Sequence, residues 1–329
     1  MNMKKWIIVG AAIFLAYMAY LVGSDGSFLA NFIVYICLFI IAGHGWNLLG
    51  GYIGEISFGH AVFWGIGAYA VGLPIGYGLK IPLLLLVLLG AVAAAVFAWL
   101  ISYPLLRVQG FPFLVGTYGL GVVFEKIFIA SPALFATRGI FIPHMNKFFL
   151  YGLIFALTVA VTIFVKWLVN QDMGLRFKAV RDVPGAAQMI GINIYRTKAT
   201  ALIIGAFLTG LAGGFYALYS CFVNPGGSFG MATSIAILLG PYIGGVGTVL
   251  GTVFGSTIVI CLQEWARSAI TVSGGHHLLL GLLLIVIMMT SKEGLYPGLK
   301  KLFDKIVKKG SKKPKINRDS ANPGNGRGE

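Results

Sequence analysis

Charge is what this chain has least of. Only 11% of its 329 residues are Asp, Glu, Lys or Arg, against roughly a quarter in ordinary soluble domains. Acids are scarcer still, ten against twenty-five Lys and Arg. With 58% hydrophobic residues and a mean hydropathy of +0.87, the polar surface is too small to clothe a soluble fold. Cysteine is also sparse. Cys37, Cys221 and Cys261 stand far apart in apolar stretches, make no disulfide framework, and are expected to be buried fillers. No Gly-x-x-x-x-Gly-Lys-Ser/Thr phosphate loop is present, no His or Cys pair has metal spacing, and no nucleophile has an evident base. His276 and His277 are neighbours in sequence, so on a helix they point to different faces. The chain is therefore not expected to be an enzyme, to hydrolyse ATP, or to carry a metal or other cofactor.

Long apolar runs are what it has in abundance. At about 20 residues per membrane helix, the length accommodates about ten transmembrane or re-entrant helices and no large soluble domain. The runs are Trp6–Val22, Phe28–Leu49, Ser57–Gly78, Pro82–Leu106, Phe111–Ile129, Phe148–Val169, Ala199–Phe222, Met231–Ile243, Thr248–Leu262 and His277–Thr290. The eighth and ninth are short for full spans and can also be read as one re-entrant hairpin. Trp6–Val22 follows Lys4 and Lys5 like a signal peptide, but its apolar run is long for one, which favours a retained helix.

The +15 net charge is concentrated beside these runs. Lys166 to Lys198 holds six basic and two acidic residues, and Lys292 to Glu329 eleven basic and four acidic. Basic segments flanking spans stay on the cytoplasmic side. Both termini and the loop are thus expected inside, and an even number of spans must separate any two of them. The runs obey this parity whether the short pair counts as two spans or as a hairpin. Nucleic-acid binding is excluded as a reading, because the basic residues adjoin spans without stacking aromatics.

The 46 glycines are near twice the usual share. Gly210/Gly214, Gly240/Gly244 and Gly247/Gly251/Gly255 recur four apart, giving smooth stripes on which another helix can pack closely, as a fixed or a moving interface. Between the second and third runs, Asn47 to His60 mixes glycines with Glu55, Ser57 and His60. A broken helix is expected there. Irregular backbone at membrane depth must be satisfied by protein or line a water-filled cavity, and such breaks often build transporter sites. The other reading is a cytoplasmic turn with Glu55 solvated and His60 hydrogen-bonded inside the bundle.

Asn47 through Ser57, Gly59, His60 and Ala61 to Gly67-Ala68-Tyr69 resembles a signature of branched-chain amino acid ABC permeases of the LivM type. Gly174, Ala179, Arg181, Ala186, Ala187, Gly191 and Ile192 resemble the family's cytoplasmic motif, Gly210-Leu211-Ala212-Gly213-Gly214 its small-residue helix, and Gly281 with Gly294-Leu295 its closing segment. The likeness runs from about Phe28 to Leu295. Glu55, where many relatives carry glutamine, His44-Gly45-Trp46 and Arg138 depart from the pattern and bear on the substrate more than on the family.

The resemblance implies an all-α polytopic fold of the ABC importer permease type with broken helices. It also implies a cell inner-membrane location and four kinds of neighbour: two ATP-binding subunits, a second homologous permease, a substrate-binding protein and the lipid bilayer. Branched-chain or other hydrophobic amino acids are the expected cargo. Urea or amides, sugars, and an ion-coupled secondary transporter with Glu55, Glu125 and His60 as relay stay open as alternatives. Asn47, Glu55, Ser57, His60, Thr117 and Glu125 are the expected substrate path. Gly174, Ala179, Arg181, Ala186, Ala187 and Gly191 are the expected ATPase-coupling residues.

Read from its residues alone, the loop suits either contact with a partner protein or a solvated interfacial turn, and the coupling role is what the resemblance implies. Asp182 and Pro184 suit a helix start and Gly191 a stop, leaving a helix of about two turns that presents Ala186, Ala187 and Met189 to a partner groove. The expected organisation is a permease domain over 1–291 with a coupling loop at 170–198. A basic amphipathic surface helix at 292–310 and a disordered tail at 311–329 follow.

Overall fold

The computed structural model describes residues 28–135 and 138–269. The expected first and last spans, the 292–310 helix, the 311–329 tail and the closing Gly281 and Gly294-Leu295 motif lie outside the described residues.

The order is α1 (Phe28–Asn47), a π-helical turn (Leu48–Ile53), α2 (His60–Gly76), α3 (Leu83–Leu105), α4 (Phe111–Ala130), β1 (Ile140–Phe141), α5 (Lys147–Asn170), α6 (Asp172–Asp182), α7 (Pro184–Met189), α8 (Ile194–Ser220), β2 (Phe222–Val223), α9 (Pro225–Phe229), α10 (Met231–Gly244) and α11 (Val249–Ala269). A 3-10 turn, Pro132–Leu134, follows α4. Among the described residues seven stretches are long and apolar enough to cross a bilayer, and α2 is a shorter apolar helix. The third run was expected to start at Ser57. Its helix starts at His60, because Ser57 to Gly59 belong to the break. The ninth run is longer than its apolar core suggested: α11 spans 21 residues, extended by the polar turn Gln263-Glu264-Trp265-Ala266-Arg267.

Helix α8 is the hub, packing against α1, α2 and α3. Small residues make this possible, since lipid tails supply no hydrophobic drive for helices to associate and close van der Waals contact must do so. A Cβ built on Gly213 would lie 2.0 Å from the Trp64 carbonyl oxygen, and one on Gly67 1.9 Å from that of Gly210. The stripes on α10 and α11 face one another in the same way, with a Cβ on Gly244 falling 1.7 Å from the Gly251 carbonyl. Asn146, Asn193 and Asn224 cap α5, α8 and α9 with their side-chain oxygens. Cys37 is the buried filler expected, but the other two cysteines differ from expectation. Cys221 is half-buried and Cys261 is exposed on α11, because apolar sequence in a membrane helix does not dictate an inward face.

The bundle has two distinct ends. At one lie α6, α7, the start of α8, the break after α1 and the α10–α11 turn, joined by hydrogen bonds from Arg181, Lys198 and Asn47. At the other, β1 pairs antiparallel with β2, Ile140 opposite Val223. This ribbon ties the α4–α5 connection to the exit of α8.

Gly213→Ala forces α8 off α2 and is expected to lower the thermal midpoint of the detergent-purified protein clearly. Gly226→Ala, where a Cβ meets nothing within 4 Å, is expected to leave it unchanged. Equal midpoints for the two would refute the close-contact account.

Candidate functional site: the break between the first two helices

The chain leaves the α-helix after Asn47, widens into the π turn and reverses at Gly54, which adopts φ +89°. It then runs without regular structure to Gly59. Each backbone group freed here needs a partner, because an unpaired buried amide costs about 1–3 kcal/mol. Trp46 Nε1 donates to the Ser57 carbonyl at 2.8 Å, and Phe58 N donates to Thr117 Oγ1 at 3.1 Å. Gly59 N donates to Ser57 Oγ at 3.2 Å and Ala61 N to Ser234 Oγ at 2.9 Å.

Asn47 closes the start of the break. Its Nδ2 donates to the Thr248 carbonyl at 3.1 Å and to Thr252 Oγ1 at 2.9 Å, while its Oδ1 accepts from Gly247 N at 2.9 Å. Fully buried, it clamps the π turn to the α10–α11 turn. Glu55 is buried rather than solvated. Lys198 Nζ, on the first turns of α8, donates to Glu55 Oε1 at 2.6 Å, with side-chain exposures of 6% and 11%. Arg181 Nη1, from the last turn of α6, donates to the Gly51 carbonyl at 3.1 Å.

Five of the six expected path residues therefore meet at the break: Asn47, Glu55, Ser57, His60 and Thr117, all buried. Glu125 does not. It lies eight residues beyond Thr117, about 12 Å along α4 at 1.5 Å per residue, half-buried on the span with the smallest buried share. Among the described residues it forms no ion pair. His60 stands edge-on to Phe63, and neither of its ring nitrogens has a hydrogen-bond partner among the described residues. The expected hydrogen bond from His60 inside the bundle is thus absent there.

Lys198, Thr248, Thr252 and Ser234 were missed from the sequence, and Trp46 was noted only as a departure from the family pattern. Each meets the break from another segment or serves it through a backbone contact, and local spacing carries no signal for that. The only hint was Lys198 itself, the last residue of the basic segment, standing directly before an apolar run.

The basic segment adds a compact unit at the same end. Gly174 lets α6 fold back on α5, since a Cβ there would lie 1.9 Å from the Val169 carbonyl. Ala179 is half-buried. Helix α7 spans Pro184–Met189, and Gly191 follows with φ +85°. One expectation is corrected. Ala186 is exposed, but Ala187 is 2% exposed and faces inward. In a six-residue helix lying on the bundle, one position per turn must point back, and that position is Ala187. The outward positions are Met189 and Ile190, 91% and 75% exposed.

Residues 28–289 match the family described as branched-chain amino acid transport system / permease component. Among curated proteins, the chain is 29% identical over 298 residues to the high-affinity branched-chain amino acid transport system permease protein LivM of Salmonella typhimurium, covering 79% of this chain and 68% of the relative. The LivM protein of Escherichia coli K12 is 28% identical with the same coverage. The LivH protein of Escherichia coli K12 is 23% identical over 286 residues, covering 76% and 88%. No solved structure matches significantly.

Thr117→Val strips the acceptor from Phe58 N and is expected to destabilise the purified protein by about 1–2 kcal/mol, read as a lower thermal midpoint. Thr117→Ser keeps the oxygen and is expected to restore most of the loss. A valine variant as stable as the native protein would mean that Thr117 does not hold the break.

Proposed function

Because the chain belongs to the branched-chain amino acid transport system permease family, we propose that it is the permease subunit of an ATP-driven importer carrying branched-chain or other hydrophobic amino acids across the cell inner membrane. On this reading two ATP-binding subunits drive it, a second homologous permease completes the pathway, and a substrate-binding protein delivers the cargo. The chain has no phosphate loop, in keeping with hydrolysis on a partner.

The observation that carries the reading is the outward pair Met189 and Ile190 at the end of a short helix beside Arg176, Lys178 and Arg181. Two apolar side chains standing clear of the bundle on a basic, ordered segment suit insertion into a partner's groove. Gly174, Ala179, Arg181, Ala187 and Gly191 shape that segment, while Ala186 belongs to its contact face. The basic bias supports a cytoplasmic position for this end, and parity carries both termini to the same side. The substrate path runs along α4 and the start of α2, past His60, Thr117 and Glu125. A carboxylate in a span belongs to a protein interface or a water-filled path rather than to lipid, so the sparsely covered face of α4 is where the second permease and the path meet.

Met189→Cys in a cysteine-free background is expected to react with an impermeant thiol reagent in inverted vesicles and not in intact cells; labelling from outside would overturn the orientation. In proteoliposomes holding both permeases, the ATPase subunits and the binding protein, ATP-dependent uptake of labelled leucine is expected, competed by isoleucine and valine and not by urea or ribose. Met189→Asp adds a charge that must be desolvated at the contact, a penalty of several kcal/mol, and is expected to release the ATPase subunits on purification. Uptake driven by an ion gradient without ATP would replace this reading with the secondary transporter.

A further inference from the structure

Three contacts attach the short irregular backbone after α1 to three different parts of the bundle. Arg181 reaches it from α6. A Cβ on Gly54 would sit 2.9 Å from Arg181 Cγ, and one on Gly247 would sit 3.2 Å from its Nη1. The arginine thus fills the gap between the π turn and the α10–α11 turn while bonding to the Gly51 carbonyl. Gly54 and Gly247 both have positive φ, so the two backbones that flank the guanidinium and its stem take shapes that larger residues resist. Asn47 bolts the start of the break to Gly247 and Thr248. Lys198 holds its middle through Glu55.

On the far side of Glu55 the chain runs directly into Ser57 and Phe58, which are fixed by Trp46 and Thr117. Three residues span at most about 10 Å when extended, so little slack separates Glu55 from the backbone that touches α4. A displacement of α6 or of the start of α8 therefore reaches Phe58 and Thr117 through bonded atoms. The geometry points to Arg181 and the Glu55–Lys198 pair as positioning residues for transport, a strut that carries movement of the 170–198 segment into the break and so to the α4 face. This builds on the permease reading and reassigns Glu55 and Asn47 from touching cargo to moving the wall that does.

The nature of the pair favours this over simple cementing. A buried ion pair contributes little net stability compared with an apolar replacement of similar volume, while loss of one partner alone is severe. What a short charged bond supplies here is a fixed distance and direction between two segments.

The test separates stability from transmission. Glu55→Gln with Lys198→Met removes both charges and leaves no buried ion unpaired, and Glu55→Lys with Lys198→Glu keeps a pair in reverse. Arg181→Met keeps the hydrocarbon stem and loses the bond to Gly51. Each is placed in the complete reconstituted complex, and the readout is leucine moved per ATP hydrolysed, with thermal midpoint measured alongside. For the neutral pair and for Arg181→Met the ratio is expected to fall by about tenfold, within the usual span of coupling between sites. The reversed pair should regain part of it. A native ratio in both the neutral pair and Arg181→Met overturns the strut, whatever happens to the midpoint, and failure of the neutral pair to assemble leaves Arg181→Met to decide by the same ratio. If the unmutated complex shows no ATP dependence, the permease reading falls and the strut with it.

Discussion

A backbone that leaves the helix within an apolar bundle must find its hydrogen-bond partners in protein, because lipid offers none. Much of the arrangement at the basic end follows from that demand. The amides and carbonyls released between Leu48 and Gly59 are met by Trp46 from α1, Thr117 from α4 and Arg181 from α6, and the next amide, that of Ala61, by Ser234 from α10. Asn47 adds α11 through Thr252. One short irregular segment thus fixes the mutual positions of five helices. Loss of any one partner leaves a specific orphaned group rather than a diffuse loss of packing.

Close packing of α8 sets where those partners can stand. Backbone-to-backbone approach at Gly205, Gly210 and Gly213 holds α1, α2 and α3 around one axis, and brings the first turns of α8 beneath the break so that Lys198 reaches Glu55. Packing and polar satisfaction are therefore not independent. A bulkier α8 would move Lys198 away from the carboxylate and strand two buried charges, which costs far more than the lost contacts.

Element type and order were legible in the sequence because apolar length is a strong signal in a membrane chain, and the first residue and the stop of α7 were legible because Pro184 and Gly191 have local meanings, whereas Asp182, expected at the same helix start, instead closes α6 and leaves Val183 as the cap. The break was legible for a similar reason: Gly50-Gly51, Gly54 and Gly59 interleave with polar residues. What stayed hidden was pairing. Asn47 with Thr252, Glu55 with Lys198 and Phe58 with Thr117 join residues 59 to 205 positions apart, and no periodicity encodes such a match. The face of α7 was misjudged at Ala187 because a helix of six residues is too short for its inward side to be read from spacing alone. Cys221 and Cys261 were misplaced because membrane helices are apolar on the outside as well.

The position of Glu55 follows from competing electrostatic costs. An acid facing lipid is costly, and a lone buried acid costs several kcal/mol even after relaxation; a solvated acid at a turn costs nothing but fixes nothing. Pairing with Lys198 at 2.6 Å removes most of the penalty for both ions at once, and it does so only while α8 and the break keep their present distance. A glutamine at this place could hydrogen-bond the same lysine without compensating its charge, so the acid makes the contact stiffer and the alternative separation more expensive. Stiffness at this point matters because the segment on one side of the pair is the basic surface unit with Met189 and Ile190 outward, and the segment on the other side touches α4, the least covered span. A short charged bond thus joins the segment that carries the exposed Met189 and Ile190 to the break that touches the least covered span.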